Sequence, residues 1–268
     1  MTILLSRRTV LAAAPFVAGA GSAGFARGPA DALFTLGIAS GDPAPDGMVL
    51  WTRLAPAPLE PDGGMGRGRV AVRWEVAEDE GFARIVRRGE ALATPDDGHS
   101  VHVEVAGLRP GRPYFYRFLS GGQASATGRT RTAPAPGSHV ERLRLCYGSC
   151  QRYDVGYYAG WHHVVAEEPE LILFLGDYIY ENAPKPGALR PHQNPEPVDL
   201  AGYRIRYATY KLDPLLQAAH AAAPWMTIWD DHEVANDYAG QWDQRYGDPA
   251  TFLRRRAAAY QAYWEHLP

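Results

Sequence analysis

The stretch "PWMTIWDDHEVANDY", Pro224 to Tyr238, joins an apolar run directly to two aspartates and a histidine. The apolar run is typical of a buried strand, so Asp230, Asp231 and His232 stand where that strand ends. Two hypotheses account for them. Either a helix begins here with one of the aspartates as its N-cap, or the acids and the imidazole hold a metal ion or a reacting group at the C-terminal edge of a sheet.

Two earlier segments of the chain have the same plan. "RLRLCYGSC" is predicted to be a strand that ends at Cys150, and "LILFL" is predicted to be a strand that ends at Gly176-Asp177. Because "LILFL" has no polar face, we expect it to be buried on both faces. Segments with helical periodicity, residues 154–169 and 199–223, separate the three strands and predict an α/β sheet.

The ends of parallel strands meet at one edge of such a sheet, where open α/β sheets bind their ligands. Cys150, Asp177, Asp231 and His232 are therefore expected to lie near one another. Helix N-caps would explain Asp177 or Asp231 singly. They would not explain why a tyrosine follows Asp177 three residues later, or why Asp230, Asp231 and His232 are adjacent.

Residues 33–134 differ from this pattern and are predicted to be all-β. Val70, Val72, Trp74 and Val76 alternate onto one face of a strand. The turn "GLRPG" ahead of Tyr114 resembles the tyrosine-corner region of fibronectin-type sandwiches. "GRTRTAPAPGS" follows as a predicted linker. The predicted fold class is thus α+β and multidomain, with a fibronectin-like β-sandwich over residues 33–134 and an α/β domain over residues 142–268.

The first residues are typical of an export signal. Arg7 and Arg8 precede a short apolar run that is rich in Ala and Gly, as in twin-arginine signal peptides, and cleavage is predicted near Ala26. The run is too weakly apolar for a membrane span. The net charge of −3 over 268 residues gives no basic face, so no nucleic-acid partner is expected.

Cys146 and Cys150 are the two cysteines of the chain. Four residues of extended strand span about 13 Å, whereas a disulfide needs Cα atoms within about 7 Å. A tight turn at Gly148 would permit a bridge. The other hypotheses are a Cys146 that packs as a small apolar residue and a Cys150 with a separate role.

"GSCQ", "FLGDYIYE" and "WDDHEVANDY", in this order behind an export signal and a β module, resemble the PhoD-type alkaline phosphatase/phosphodiesterase family of calcineurin-like metallophosphatases. The resemblance implies that Cys150 and Tyr180 bind a ferric ion and that Asp177 bridges it to a second metal, calcium. It further implies that Asp231 binds the calcium ion and that His232 faces the substrate phosphate.

General chemistry agrees with these roles. Thiolate and phenolate suit trivalent iron, carboxylates suit calcium, and two metal ions can clamp a phosphate ester while activating water. His232 could donate a proton to the leaving oxygen or hydrogen-bond the phosphate. Asp230 is predicted to be only a supporting neighbour, because consecutive residues cannot all point one way. His162, His163 and His220 lie on predicted helices and are not expected to be ligands.

Phosphatases of this type have a further Asp-x-His motif downstream, which is absent after Asp237, and the chain stops within a predicted helix at "YWEHLP". We therefore expect the front portion of a longer enzyme.

The predicted function is that of a metal-dependent phosphatase or phosphodiesterase that acts on small or polymeric phosphate esters. The protein is expected to be exported by the twin-arginine translocation machinery and to act in the periplasm or outside the cell. The alternatives are an inactive truncated product and a non-catalytic metal- or phosphate-binding protein. A relative of the purple acid phosphatases, with iron and zinc, would have a histidine in place of Cys150.

Overall fold

The structure, a computed structural model, describes residues 32–268. The predicted signal segment, residues 1–26, lies outside the described residues. The elements up to residue 134 are strands: β1 (Ile38–Ala44), β2 (Gly47–Arg53), β3 (Val70–Ala77), β4 (Ile85–Ala93), β5 (Ser100–Val105), β6 (Pro113–Ser120), β7 (Gln123–Ala124) and β8 (Gly128–Arg131).

The predicted all-β character of this part is confirmed, and the alternation of β3 places Val72 and Val76 in the core. Strand β4 was not predicted, because charged residues interrupt its apolar residues and only Ala93 is fully buried. Strand β8 lies inside the predicted linker and pairs with β6, so the linker prediction was wrong over Gly128–Arg131. Tyr114 is buried, and its hydroxyl accepts a hydrogen bond from the backbone N–H of Arg109 at 3.0 Å.

The elements after residue 144 alternate between strands and helices: β9 (Leu145–Gly148), α1 (Ala159–Ala166), β10 (Leu171–Leu175), α2 (Leu200–Lys211), α3 (Pro214–Ala222), β11 (Trp225–Ile228) and α4 (Pro249–His266), with a 3-10 turn at Tyr153–Val155. Strand β10 lies between β9 and β11 and is parallel to both. The prediction of three parallel strands is therefore confirmed.

One sheet joins the two parts of the chain. Its strand order is β5-β2-β1-β11-β10-β9, and the connection is a parallel pairing of Gly41 with Trp225. A Cβ atom at Gly41 would lie 3.0 Å from the carbonyl oxygen of Trp225, so a larger residue would crowd this pairing. Helix α4 strengthens the junction, since the indole N–H of Trp51 in β2 donates to the Glu265 carbonyl at 3.0 Å.

The helices pack against one face of β9–β11. Ile172, Phe174 and Trp225 from the strands form a core with tyrosines of α2. The opposite face is open: Tyr147, Leu175 and Ile228 are 76%, 51% and 56% exposed. The prediction that "LILFL" is buried on both faces was therefore wrong, because no described element within residues 32–268 covers the second face.

Three local features bear on the sequence analysis. The hypothesis that a helix begins at Asp230 or Asp231 is wrong, because a turn follows β11 and the next helix begins at Pro249. The helical segment 199–223 is two helices, because the Asp213 carboxylate caps a second one at Pro214. Helix α4 ends at His266, before extended backbone at Leu267, so the chain does not stop within it. Among the described helices, none combines the length and apolarity needed to cross a membrane.

Candidate metal centre

The three parallel strands deliver polar side chains to one edge of the sheet. Asp177 lies just beyond β10, and Asp231 and His232 lie just beyond β11. One potential ligand atom from each of these three residues lies within 4.8 Å of the other two. The residues that the sequence predicted as neighbours at the ends of β10 and β11 are thus brought together, so that the two carboxylates could hold a metal ion with the imidazole beside them.

The backbone at this edge turns sharply. Cys150 and Asp177 both adopt left-handed conformations, with φ of 56°, and Gly176 between the strand and Asp177 has φ of 95°. Such a conformation costs a non-glycine residue about 1 kcal/mol or more. The N–H of Cys150 donates to the Gly176 carbonyl at 3.1 Å, and the N–H of Gln151 donates to the Asp177 carbonyl at 3.2 Å. These bonds hold the two loops together and compensate part of that cost.

Asp177 has an incomplete set of partners. Its side chain is buried, and Oδ2 accepts a hydrogen bond from the Tyr180 hydroxyl at 2.8 Å. Oδ1 is buried as well and has no hydrogen-bond partner among the described residues. A buried carboxylate oxygen without a partner costs about 1–3 kcal/mol or more. A cation bound at Oδ1 would satisfy it, so the residues present fit a metal ion.

Tyr180 lies between the carboxylate and the thiol predicted as ligands. Burial is the main reason that the pKa of Tyr180 is raised, and the hydrogen bond and negative charge of Asp177 raise it further. Interactions with Cys150 act in the same direction, so the Cys150 thiol lies close to the phenol. Cys150 itself is exposed and is not part of the group formed by Asp177, Asp231 and His232.

The cysteines are not bridged. Cys146 and Cys150 are both free thiols. Cys146 lies in β9, is partly buried and packs against the core, as predicted by the hypothesis that it is a small apolar residue. Cys150, two residues beyond the same strand, is exposed and lies near the Tyr180 phenol.

His232 has a carboxylate partner that the sequence did not identify. Its Nδ1 lies 2.7 Å from Oε2 of Glu181, whose Oε1 accepts from the N–H of Asn236 at 2.9 Å. Burial by itself would lower the pKa of His232, but the hydrogen bond and charge of Glu181 outweigh burial and raise it. The pKa of Glu181 is lowered, because the His232 and Asn236 contacts outweigh its own burial. The pair therefore favours a protonated imidazole.

Glu233 is a second carboxylate that sequence reasoning missed. It is buried and accepts hydrogen bonds from the N–H groups of Tyr178 and Asp230, the latter at 2.8 Å. It thereby connects the loop after β10 with the loop after β11. Burial raises its pKa to about 7. A signal was present, since "GDYIYE" ends in Glu181 and "WDDHE" ends in Glu233, but neither glutamate received a predicted role.

The two aspartates after β11 differ in position. Asp230 is exposed and lies outside the ligand group. A Cβ atom at Gly176 would lie only 2.6 Å from the Cβ atom of Asp230. Asp231 is half-buried, and its Oδ2 accepts from the N–H of Asp237 at 2.5 Å. Asp231 thus lies in the group with Asp177 and His232, whereas Asp230 does not, and the predicted roles of the two aspartates stay predictions. His162 and His163 lie on α1, whereas His220 is buried and bonded to the Tyr178 hydroxyl at 2.7 Å.

Comparison with known proteins gives a consistent result. One family model, "PhoD-like phosphatase, N-terminal domain", matches residues 19–134, and another, "PhoD-like phosphatase", matches residues 145–268. Alkaline phosphatase D of Bacillus subtilis (strain 168) is 50% identical over 240 residues, which are 88% of this chain and 41% of that protein. A solved structure of PhoD superposes with a TM-score of 0.85 at 50% identity and covers 88% of this chain.

The chain spans less than half the length of these two relatives, 41% of alkaline phosphatase D and 46% of the solved PhoD chain. The two family models nevertheless match nearly the whole of it, and the fold agrees with that of PhoD. On these grounds the chain belongs to the PhoD-like phosphatase family.

Proposed function

We propose that this chain carries a metal-dependent phosphoric ester hydrolase site, a phosphatase or phosphodiesterase like alkaline phosphatase D. The observation that carries the proposal is the cluster of Asp177, Asp231 and His232 within 4.8 Å, at the sheet edge where a buried oxygen of Asp177 lacks a partner. Small or polymeric phosphate esters are the proposed substrates, because a metal-clamped phosphate does not itself select the alcohol.

The donor set favours two different cations. Cys150, Tyr180 and Asp177 would hold a ferric ion, since thiolate and phenolate suit a trivalent metal. Asp177 and Asp231 would hold calcium, which prefers carboxylate oxygens. When bound, the two ions supply positive charge that activates water and neutralises the phosphate in an in-line displacement. Asp177, placed between Tyr180 and the Asp231 loop, would be shared by both ions.

The chain itself supplies the proton. Glu181 holds Nδ1 of His232 and favours the protonated ring, so Nε2–H is the group that can donate. The Nε2–H group would give its proton to the leaving oxygen or donate a hydrogen bond to a phosphate oxygen. The 2.7 Å contact between Nδ1 and the buried Glu181 carboxylate keeps the ring in one orientation.

The proposal is tested on the purified full chain and on the chain extended to the length of its relatives. Iron and calcium content are measured by mass spectrometry, and hydrolysis of a nitrophenyl phosphodiester is followed by absorbance. His232→Ala should keep both metals and lose rate by about 10²–10⁴-fold. Wild-type turnover in His232→Ala would contradict the proton role. If neither chain binds iron or calcium, the proposed metal site is wrong.

We also propose that the protein is exported by the twin-arginine route to the periplasm or beyond, on the basis of the sequence around Arg7 and Arg8. Replacement of both arginines by lysine should abolish export, and the mature protein should lack residues up to about Ala26. Cell fractionation and N-terminal sequencing measure this. Undiminished export of the double variant would contradict the proposal.

A further inference from the structure

Helix α2 holds the backbone of Tyr180 from both sides. The N–H of Tyr180 donates to the Tyr210 hydroxyl at 2.9 Å, and the guanidinium of Arg206 donates to the Tyr180 carbonyl. Arg206 and Tyr210 are one helical turn apart, so they present both groups from the same face of α2. Both side chains are fully buried. The position of Tyr180 therefore depends on α2, which supplies none of the predicted ligands.

The Tyr210 hydroxyl uses its full hydrogen-bonding capacity. Besides Tyr180 it accepts from the N–H of Tyr153 at 3.4 Å, and it lies 3.1 Å from Nε2 of His192. Nδ1 of His192 lies 3.0 Å from the Asn182 carbonyl, which can only accept, so Nδ1 carries the proton. Burial, followed by the charge of Arg206, lowers the pKa of His192 to about 4. The ring is thus neutral, and Nε2 accepts the Tyr210 proton.

These contacts connect the two loops that carry the predicted iron ligands. Tyr153 lies three residues after Cys150, and Tyr180 lies three residues after Asp177. One hydroxyl on α2 therefore fixes the loop after β9 and the loop after β10 relative to each other. A shift of the Tyr180 backbone would alter the 2.8 Å contact between its phenol and Asp177.

We propose that Tyr210, with His192 as its acceptor, is a positioning residue that sets the Tyr180 phenol relative to Asp177 and Cys150. The inference rests on the proposed function, in which Tyr180 is an iron ligand. Tyr210 does not touch the metal or the substrate in this proposal; it acts through the backbone of Tyr180.

The same helix offers a matched control. Tyr207 is as fully buried as Tyr210, yet its hydroxyl has no hydrogen-bond partner within residues 32–268. Tyr207→Phe and Tyr210→Phe therefore remove the same atom from the same helix. A general effect of losing a buried hydroxyl would appear in both variants, whereas a positioning effect would appear only in Tyr210→Phe.

The first measurement needs no metal. Hydrogen exchange of backbone amides in the metal-free chain should show about tenfold faster exchange at Tyr180 in Tyr210→Phe and little change in Tyr207→Phe. His192→Phe keeps a ring stacked between Tyr153 and Tyr210 but removes the acceptor, so it should act in the same direction. It also carries the test if Tyr210→Phe does not fold.

The second measurement is the phenolate-to-iron charge-transfer band after addition of ferric ion. Tyr210→Phe should shift or weaken the band and lower iron affinity about tenfold, as is typical when a group that orients a ligand is lost. Tyr207→Phe should leave both unchanged, and Tyr180→Phe should abolish the band. If Tyr180→Phe keeps the band, Tyr180 is not a ligand and that part of the proposed function fails, while amide exchange still decides whether Tyr210 positions Tyr180. If Tyr180→Phe loses the band but Tyr210→Phe behaves like Tyr207→Phe in both measurements, the inference is overturned.

Discussion

Asp177 is the residue on which the candidate site depends most directly. It combines a left-handed backbone, a buried side chain and one carboxylate oxygen without a partner. The left-handed backbone and the unpaired buried oxygen each cost folding free energy. Together they are expected at a position where a bound cation offsets the cost.

Asp231 and Asp230 allow a direct test at the residue scale. Asp231→Ala should lower calcium affinity by about 100-fold or more and abolish ester hydrolysis, because it removes a carboxylate from the ligand group. Asp230→Ala should change calcium binding little, because Asp230 is exposed and outside that group. Isothermal titration with calcium on both variants measures the difference. Equal losses in the two variants would contradict the assignment.

The Glu181–His232 pair should give the metal-free chain a characteristic pH dependence. The pKa of His232 is raised from 6.5 on folding, so its stabilising contribution is complete below about pH 6.5 and is lost as the pH rises through the folded value. The pKa of Glu181 is lowered from 4.5, so its contribution is present above about pH 4.5 and is lost as the pH falls. The contribution of the pair is therefore largest between these values.

Glu181→Gln should accordingly destabilise the metal-free chain by roughly 2 kcal/mol near pH 5.5 and by less above pH 8. Urea unfolding of wild-type and variant chains at several pH values measures this difference. A difference that grows steadily above pH 7 would show that the pair does not contribute as an ion pair.

At the scale of elements, the candidate site consists of loops that are held together by groups outside the ligand set. Glu233 connects the loops after β10 and β11, and Tyr210 connects the loops after β9 and β10. Strands β10 and β11 pair in register over Ile172–Leu175, which brings their ends level. The sheet sets the approximate distance between the ligands, and the buried side chains set their orientation.

Glu233→Gln tests the connection between the two loops. The amide has one acceptor oxygen and one NH2 group, so either the Tyr178 or the Asp230 N–H loses its partner. We expect a loss of about 1–3 kcal/mol in unfolding free energy, together with weaker calcium binding at Asp177 and Asp231. Glu167→Gln, at an exposed position, is the control. Unchanged calcium affinity in Glu233→Gln would show that the loops are positioned by other contacts.

At the scale of the whole molecule, the open face of β9–β11 is the most unusual feature. Parallel sheets are generally covered on both faces. Here Leu175 and Ile228 are adjacent in register, and both are more than half exposed. An apolar surface of this kind is expected to bind hydrophobic dyes.

Leu175→Thr combined with Ile228→Thr should therefore reduce the fluorescence of bound anilinonaphthalene sulfonate, with little loss of stability, because neither side chain is buried. Leu92→Thr, on β4 of the other sheet and 50% exposed, is the control and should leave the fluorescence unchanged. Dye binding that is equal in all three chains would show that this face is not the dye-binding surface.

Local chemistry made much of this molecule predictable. Alternation in β3, the apolar runs of β10 and β11 and the polar residues that end them are properties of short segments. They were sufficient to predict parallel strands and to place Asp177, Asp231 and His232 at one edge. Strand β8 was missed because its pairing with β6, not its composition, makes it a strand.

Periodicity and motifs thus predict the type and order of the main elements, the residues at the strand ends and the family. The side chains that hold those residues in place come from distant segments of the chain. Glu181 reaches His232 from 51 positions away, and Tyr210 reaches Tyr180 from 30. Packing also leaves the second face of the sheet uncovered by any element of residues 32–268. The physical reason is that hydrogen-bond partners and burial depend on how separate segments pack, and the pattern within one segment carries no record of that packing.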